Sequence, residues 1–265
     1  VKPMRVVSWN IRDLRDDSAA VRDVINDLAP DLLMLQEAPR LLAPRARLRW
    51  LARSTNLDIA LAGGWHWGLA ILTSASLRDA VQARSLTPEP LNWGDVSTLY
   101  LRATAAVRLM IPGVGPLVAA TTHFSLHEHV RLAHAHRIRG WASGCGMPVI
   151  LGGDFNEAVD GPALRLLAGE GMPQTDSAGL FDPDCSGQGD PLAPACTLRD
   201  PLDGNDPKMW TYPALGPVRR IDALLVTPSI PVVHAQVVRS TPSVTVERLQ
   251  TASDHLPTLL DIAAS

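Results

Sequence analysis

Long hydrophobic runs are missing from this 265-residue chain, and none approaches the roughly 20 apolar residues that span a bilayer. Cysteine is scarce. Cys145, Cys185 and Cys196 are too few and too scattered for a disulfide framework or a zinc site, and a Cys185–Cys196 bridge stays open only for an exported chain. Lysine is almost absent, with Lys2 and Lys208 alone, so arginine carries the basic charge. The formal net charge of −3 argues against a protein dedicated to coating nucleic acid. No basic-then-apolar-then-small leader pattern opens the sequence, so a cytoplasmic, monomeric protein without a transmembrane segment is expected.

Hydrophobic residues make up 46% of the chain, ample for a full core, and no repeat or linker divides it. One domain over residues 1–265 is therefore expected. Five short apolar runs meet a residue able to bind a metal, hold a phosphate or move a proton. Arg5 to Trp9 stops at Asn10, Leu32 to Gln36 at Glu37, and Leu117 to Thr122 at His123. Val149 to Gly153 stops at Asp154, with Asn156 two residues on, while Asp254-His255 precedes the run Leu256 to Ile262. Runs of this length read as strands buried on both faces, and strands ending along one sheet edge gather distant residues into one cleft.

Between the first two strands, Asp17-Ser18 can cap a helix with the stripe Val21, Val24, Ile25 and Leu28, closed by Pro30. A second helix runs through Leu48 and Leu51, and a third carries Leu132, Ala135, Ile138 and Ala142. Leu57–Leu61, Gly68–Thr73 and Leu99–Met110 read as closely spaced strands in hairpins or a meander; Arg220–Val226 and Val232–Val238 read as late strands. Residues 182–207, rich in Gly, Pro and Asp, read as a long surface loop.

Glu37 is the first charge after Leu32. It is either a strand-end carboxylate facing water or a direct ligand for Mg²⁺, which takes hard oxygen donors; Asn10 can add an amide oxygen. Gly152-Gly153 allow close approach before Asp154, and an extended Asp154-Phe155-Asn156 points both polar groups one way. The alternative there is an Asx-rich turn. Asp222 lies in a buried-looking strand, where a carboxylate needs a partner, and His255 is the natural one. His127, His129, His134 and His136 fall along one helix without a carboxylate at ligand spacing, and are not read as a metal site. His66, between Trp65 and Trp67, lines a cleft mouth or packs. Arg40, Arg45, Arg47, Arg49 and Arg53 after Glu37, and Arg131, Arg137 and Arg139 after His123, are either solvated helix faces or a device that steers a polyanion.

Taken together and in order, Trp9-Asn10-Ile11, Leu35-Gln36-Glu37, Thr122-His123, Gly153-Asp154-Phe155-Asn156, Arg220-Ile221-Asp222 and Ser253-Asp254-His255 resemble the endonuclease/exonuclease/phosphatase superfamily across nearly the whole chain. The resemblance implies an α+β, DNase I-like fold, a four-layer α/β/β/α sandwich. It also implies phosphoester hydrolysis assisted by Mg²⁺ or Mn²⁺. By position, Glu37 would be the main metal ligand with Asn10 and Asp254 nearby. Asp154 would activate or orient the attacking water, Asn156 would help bind phosphate, His255 paired with Asp222 would act at the scissile phosphate, and His123 would stabilise its developing charge. The chain departs from the abasic-site repair branch, which carries aspartate where Arg12 stands and lacks a histidine at His123. A Mg²⁺-dependent phosphodiester hydrolase, a nuclease acting on DNA or RNA, is the expected activity. The alternative is a phosphatase or phosphodiesterase for a small or lipid-derived phosphoester. A binding module without catalysis would lack motif residues, and none is missing.

Overall fold

Alternation along the first strand sets the architecture. In β1 (Met4–Asn10), Val7 and Trp9 point to one face, while Val6, Ser8 and Asn10 point to the other. Both faces are buried, as expected of a strand between two layers. The structure, a computed structural model, describes residues 2–97, 101–170, 197–202 and 206–263.

After β1 the chain forms α1 (Ser18–Leu28), capped by the Asp17 carboxylate on the Ala20 N–H (2.9 Å) and ended by a left-handed Ala29 ahead of Pro30. Then come β2 (Leu32–Gln36), α2 (Pro44–Ser54), β3 (Leu57–Ala62), the single turn α3 (Gly64–Trp67) and β4 (Ala70–Ser74). The chain crosses to a second sheet with β5 (Val81–Pro88), α4 (Trp93–Ser97), β6 (Ala103–Ile111), β7 (Gly115–His123), α5 (Glu128–Gly144), β8 (Val149–Asp154) and α6 (Pro162–Leu167). β9 (Asp222–Val226) completes that sheet, and β10 (Val232–Val237), α7 (Val246–Gln250) and β11 (Thr258–Ile262) return to the first.

The strand orders are β10-β11-β1-β2-β4-β3 and β5-β6-β7-β8-β9. Each sheet contains one parallel pair bridged by a helix, β1–β2 through α1 and β7–β8 through α5. Val7, Trp9, Leu33 and Leu35 pack outward against α1, α2 and α7. Val118, Ala120 and Leu151 pack against α5 and α6 on the far side. Val6, Leu32, Met34 and Leu260 meet Ala105, Val107, Ile150 and Leu224 between the sheets. These are the four layers of an α/β/β/α sandwich. No helix among the described residues is long and apolar enough to cross a membrane.

Several expectations shift. β5 was not foreseen, because an edge strand with half-exposed polar positions and a terminal proline carries no apolar run. The strand expected over Leu99–Met110 begins at Ala103, and residues 98–100 lie outside the described residues. Most of the expected loop 182–207 also lies outside them, as does a Cys185–Cys196 pairing, while Cys145 is buried. The described part is not an open loop. Arg199 pairs with Val226 at the sheet edge, and Leu198 is buried.

The sheets approach each other tightly at Ser8 and Gly152. A Cβ built on Gly152 would lie 2.8 Å from Ser8 Oγ and 2.9 Å from Ser8 Cβ, in a layer without spare volume. Gly152→Ala is therefore expected to destabilise the fold by about 1–3 kcal/mol in urea unfolding. Adding Ser8→Gly should restore part of that loss, so the double variant is less destabilised than the sum of the singles. Additive effects of the two changes would refute this contact.

Candidate active site

Between the sheets the inward side chains change character toward one end. On β1 they run Val6, Ser8, Asn10; on β2, Met34 then Gln36; on β7, Ala119, Thr121, His123; on β8, Ile150, Gly152, Asp154. Gln36 closes the apolar part by donating to Ser8 Oγ (3.0 Å) and across the gap to Thr121 Oγ1 (2.8 Å). Beyond that bridge lie the polar strand ends.

Register then places the groups. β7–β8 pairing sets His123 beside Asp154, and β8–β9 pairing sets Asp154 beside Asp222. His255 arrives from the segment before β11. Its carbonyl accepts the Trp9 indole N–H (2.8 Å), and Ser253 Oγ donates to the Asn10 carbonyl (2.7 Å). The His255 ring stands 2.8 Å, through Nδ1, from Asp222 Oδ2, while the Tyr212 ring lies over it at 4.8 Å. Asp154 Oδ2 forms the hub. It accepts from Asn10 Nδ2 (3.0 Å) and lies 3.4 Å from His123 Nε2 and 3.6 Å from His255 Nε2.

The half-buried Glu37 accepts from the same Asn10 amide at 3.2 Å, so two carboxylates from different sheets converge on one NH₂ group. Asn10 thus turns its nitrogen toward them, and its Oδ1 accepts from the Arg12 N–H (3.0 Å). Asp254 joins the group through Arg12, whose Nε lies 3.4 Å from Asp254 Oδ2. The geometry expected of Asp154-Phe155-Asn156 does not hold. The chain leaves the extended region at Asn156 (φ 51°), whose side chain donates to the Phe124 carbonyl (2.9 Å) while its N–H donates to Asp154 Oδ1 (3.0 Å).

Strain gathers here. Arg12, Asp13 and Leu14, Glu37 and Asn156 all hold positive φ without being glycine. Such residues cost of order 1–3 kcal/mol each and persist where the surroundings over-determine them. Asp13 shows how: its N–H donates to the Glu37 carbonyl (2.7 Å), and its carboxylate takes the Arg40 N–H (3.0 Å) and guanidinium (3.3 Å). Arg40 is consequently buried rather than solvent-facing.

Electrostatics separate the two histidines. Burial works against charge on both. For His255, Asp222 and then Asp154 overcome it and push the imidazole up to about 10. For His123, burial, then the positive charges of Arg102, His255 and Arg40, hold the imidazole well below its ordinary value and therefore neutral. Burial likewise raises Asp154 to about 7, opposed by the charge of His255 and aided by Asp222.

Asp154, Asp222 and His255 bring ligand atoms within 4.8 Å of one another, a group capable of holding a divalent ion. A protonated His255 has no lone pair to give, however. The carboxylate oxygens gathered at this rim, of which Glu37 shares the Asn10 amide with Asp154, better suit a hard cation such as Mg²⁺. The donor set at these strand ends fits the expected ion.

Other sequence candidates stay apart. His134 is buried against Thr104 Oγ1 (2.9 Å), whereas His127, His129 and His136 are exposed, so no cluster forms among them. His66 meets the Trp67 ring edge-on at 5.4 Å. A cavity of about 580 Å³ between Leu164, Leu198, Trp210 and Arg220 is lined by none of the site residues. Tyr212, the pair Arg102–Asp95 behind His123, and the bridging role of Gln36 between the sheets are not legible in sequence. An apolar-flanked Gln36 beside Glu37 was the available signal; the others carried none.

Residues 7–255 match the model of the Endonuclease/Exonuclease/phosphatase family. No curated protein matches the chain. Among solved structures, a Bacteroides thetaiotaomicron mannosyl-6-phosphatase is 17% identical, with 98% of this chain and 99% of that one covered at a TM-score of 0.65. ANGEL2, a 2',3'-cyclic phosphatase, is 16% identical over 98% and 95%, with a TM-score of 0.63. An endonuclease/exonuclease/phosphatase from Bacteroides vulgatus is 16% identical over the full length of both chains, with a TM-score of 0.70. At these identities the likeness is one of fold.

The charge on His255 is directly measurable. In chelator-treated protein followed by NMR, His255 is expected to remain protonated through neutral pH, and His123 neutral down to acid pH. Because its folded value lies above the unfolded one of about 6.5, the His255–Asp222 pair stabilises fully below that pH and loses this contribution as pH rises through about 10. Asp222→Asn should bring the His255 transition down by more than one unit. An unshifted transition in that variant would remove Asp222 as the cause.

Proposed function

Because the chain belongs to the endonuclease/exonuclease/phosphatase family, we propose that it is a divalent-metal-dependent phosphodiester hydrolase, with nucleic acid as the first substrate class. One observation carries the reading. A buried carboxylate, Asp154, lies within 3.6 Å of a charged and a neutral imidazole and shares the Asn10 amide with a second carboxylate, Glu37. Phosphoester hydrolysis needs this combination: a proton acceptor for water, donors for the phosphoryl oxygens, and hard oxygen ligands for a cation.

Glu37, Asn10 and Asp254 are assigned to the metal, which when bound supplies positive charge to the phosphate. Asn10 would turn its oxygen inward by rotating its amide. Asp154, raised by burial toward neutrality, orients the attacking water and accepts its proton. The Asn156 N–H fixes the other Asp154 oxygen, and its amide locks the turn to the His123 strand through Phe124; Asn156 thus positions Asp154 more than it reaches for phosphate. His255, kept cationic by Asp222, donates from Nε2 to a phosphoryl oxygen. His123, neutral, adds a hydrogen bond without adding charge.

A second reading, hydrolysis of a small or lipid-derived phosphoester, gains from the arginines. Of those near the site, Arg40 is bound to Asp13, Arg131 to Glu157, Arg137 to Glu89 and Arg47 to the Leu14 carbonyl. Arg45, Arg49 and Arg53 on α2 stay exposed and Arg139 on α5 is half-buried, so fewer arginines than the sequence offers remain to steer a polyanion. The phosphatases among the solved structures of this fold agree with that reading.

Two tests bear on this. Excess chelator should abolish hydrolysis, and Glu37→Ala should lower kcat/KM by about 10²-fold or more, of the order that loss of one transition-state-stabilising donor costs; His255→Ala and Asp154→Ala should act mainly on kcat. Undiminished turnover in chelator after dialysis would sink the metal assignment. For substrate class, kcat/KM on plasmid DNA, RNA and bis(4-nitrophenyl) phosphate should be compared at two salt concentrations. A nuclease loses efficiency steeply as salt rises, since each neutralised phosphate releases counterions. Small-ester cleavage with a flat salt response and intact nucleic acids would move the assignment to the second reading.

A further inference from the structure

Arg12 stands at the lip of the site with 45% of its side chain exposed. It belongs to the run Arg12, Asp13, Leu14 with φ of 45°, 57° and 52°, a backbone that non-glycine residues hold only under constraint. The constraint comes from below, through Asp13, Glu37 and Arg40. The turn therefore carries the guanidinium to a set place. Nε lies 3.4 Å from Asp254 Oδ2, and Nη1 lies 3.2 Å from Asp16 Oδ2. Asp254, and less strongly Asp16 and Glu37, hold its proton more firmly than water does.

We propose that Arg12 forms a phosphate subsite, its guanidinium binding a non-bridging oxygen of the substrate's phosphate beside Asp254 and Glu37. The assignment rests on the hydrolase reading above. The ion pairs of Arg12 with Asp254 and Asp16, made by a side chain 45% exposed, contribute little stability by themselves. The same weakness lets the guanidinium leave Asp16 at small cost and present its planar N–H donors to a phosphate, the geometry arginine suits better than lysine. Its charge also competes with a divalent ion for Asp254 and Glu37. Arg12 thus sets both how firmly phosphate is held and how firmly these carboxylates hold a cation.

The test compares wild type with Arg12→Gln and Arg12→Lys by calorimetry. Inorganic phosphate is titrated into Mn²⁺-saturated protein, and Mn²⁺ into chelator-stripped protein. Arg12→Gln is expected to weaken phosphate binding by about tenfold or more, as loss of a charge-assisted hydrogen bond implies. Arg12→Lys should fall between, and Mn²⁺ should bind Arg12→Gln as tightly as wild type or several-fold tighter. Equal phosphate affinity in wild type and Arg12→Gln, or no phosphate binding by wild type, overturns the proposal. So does weaker Mn²⁺ binding by Arg12→Gln, which would make Arg12 an organiser of the carboxylates instead. A wild type that binds Mn²⁺ and phosphate yet cleaves no ester leaves the subsite standing and sinks the hydrolase reading.

Discussion

Two β-sheets can pack face to face only as closely as their inward side chains allow, and at Ser8 and Gly152 there is no room for one more methyl group. The rest of the site depends on that approach. It brings Gln36 of one sheet within hydrogen-bonding reach of Thr121 in the other, which seals the apolar interior. Two residues beyond Ser8 and Gly152 along their strands, it brings Asn10 to Asp154, so that a carboxylate rooted in one sheet faces an amide and a glutamate rooted in the other. A gap wider by a side chain would leave these groups separately solvated. Water would then screen them and their shifts would vanish.

Burial by itself would neutralise every titratable group at these strand ends. What breaks the symmetry is partnership. His255 has two carboxylates within 3.6 Å and holds a proton, while His123, also close to Asp154, faces the positive charges of Arg102, Arg40 and His255 and does not. Arg102 is itself buried, bound to Asp95 and reaching toward the His123 carbonyl, so its charge is fixed in place behind the ring. One residue type thus yields a cationic donor and a neutral donor on the two sides of Asp154. On the proposed reading, a phosphoryl group entering beside them would meet charge from one ring and a hydrogen bond from the other.

Much of this was legible in the chain. Runs that end at Asn10, His123 and Asp154 mark strands whose period places the polar residue on the face of the preceding inward ones, whereas Glu37 lies just past its strand at a φ of 44°. The Asp17 cap and the stripe of α1 could be read from composition and spacing alone, since a helix end and its buried face are local properties. The partnership of Asp222 with His255 could be argued from the cost of an unpaired buried carboxylate. β5 could not be read, because an edge strand that is half exposed satisfies no periodic rule. Nor could the turn at Asn156, where an extended reading and an Asx turn fit the same letters. The arginines misled in part: Arg40, Arg131 and Arg137 look free in sequence and are bound to Asp13, Glu157 and Glu89.

The sequence by itself determined which residues end strands, which helices bury which face, and that carboxylates, an amide and histidines would be collected at one rim. These follow from periodicity and from the cost of burying polar groups, both of which act over a few residues. Only the tertiary structure decided who neighbours whom across the gap. It set Asn10 between Glu37 and Asp154, gave one histidine a proton and withheld it from the other, and placed Arg12 against Asp254. Those outcomes rest on contacts between residues up to 246 positions apart, as from Trp9 to His255. A contact of that kind is set by how two sheets pack, not by any pattern along the chain.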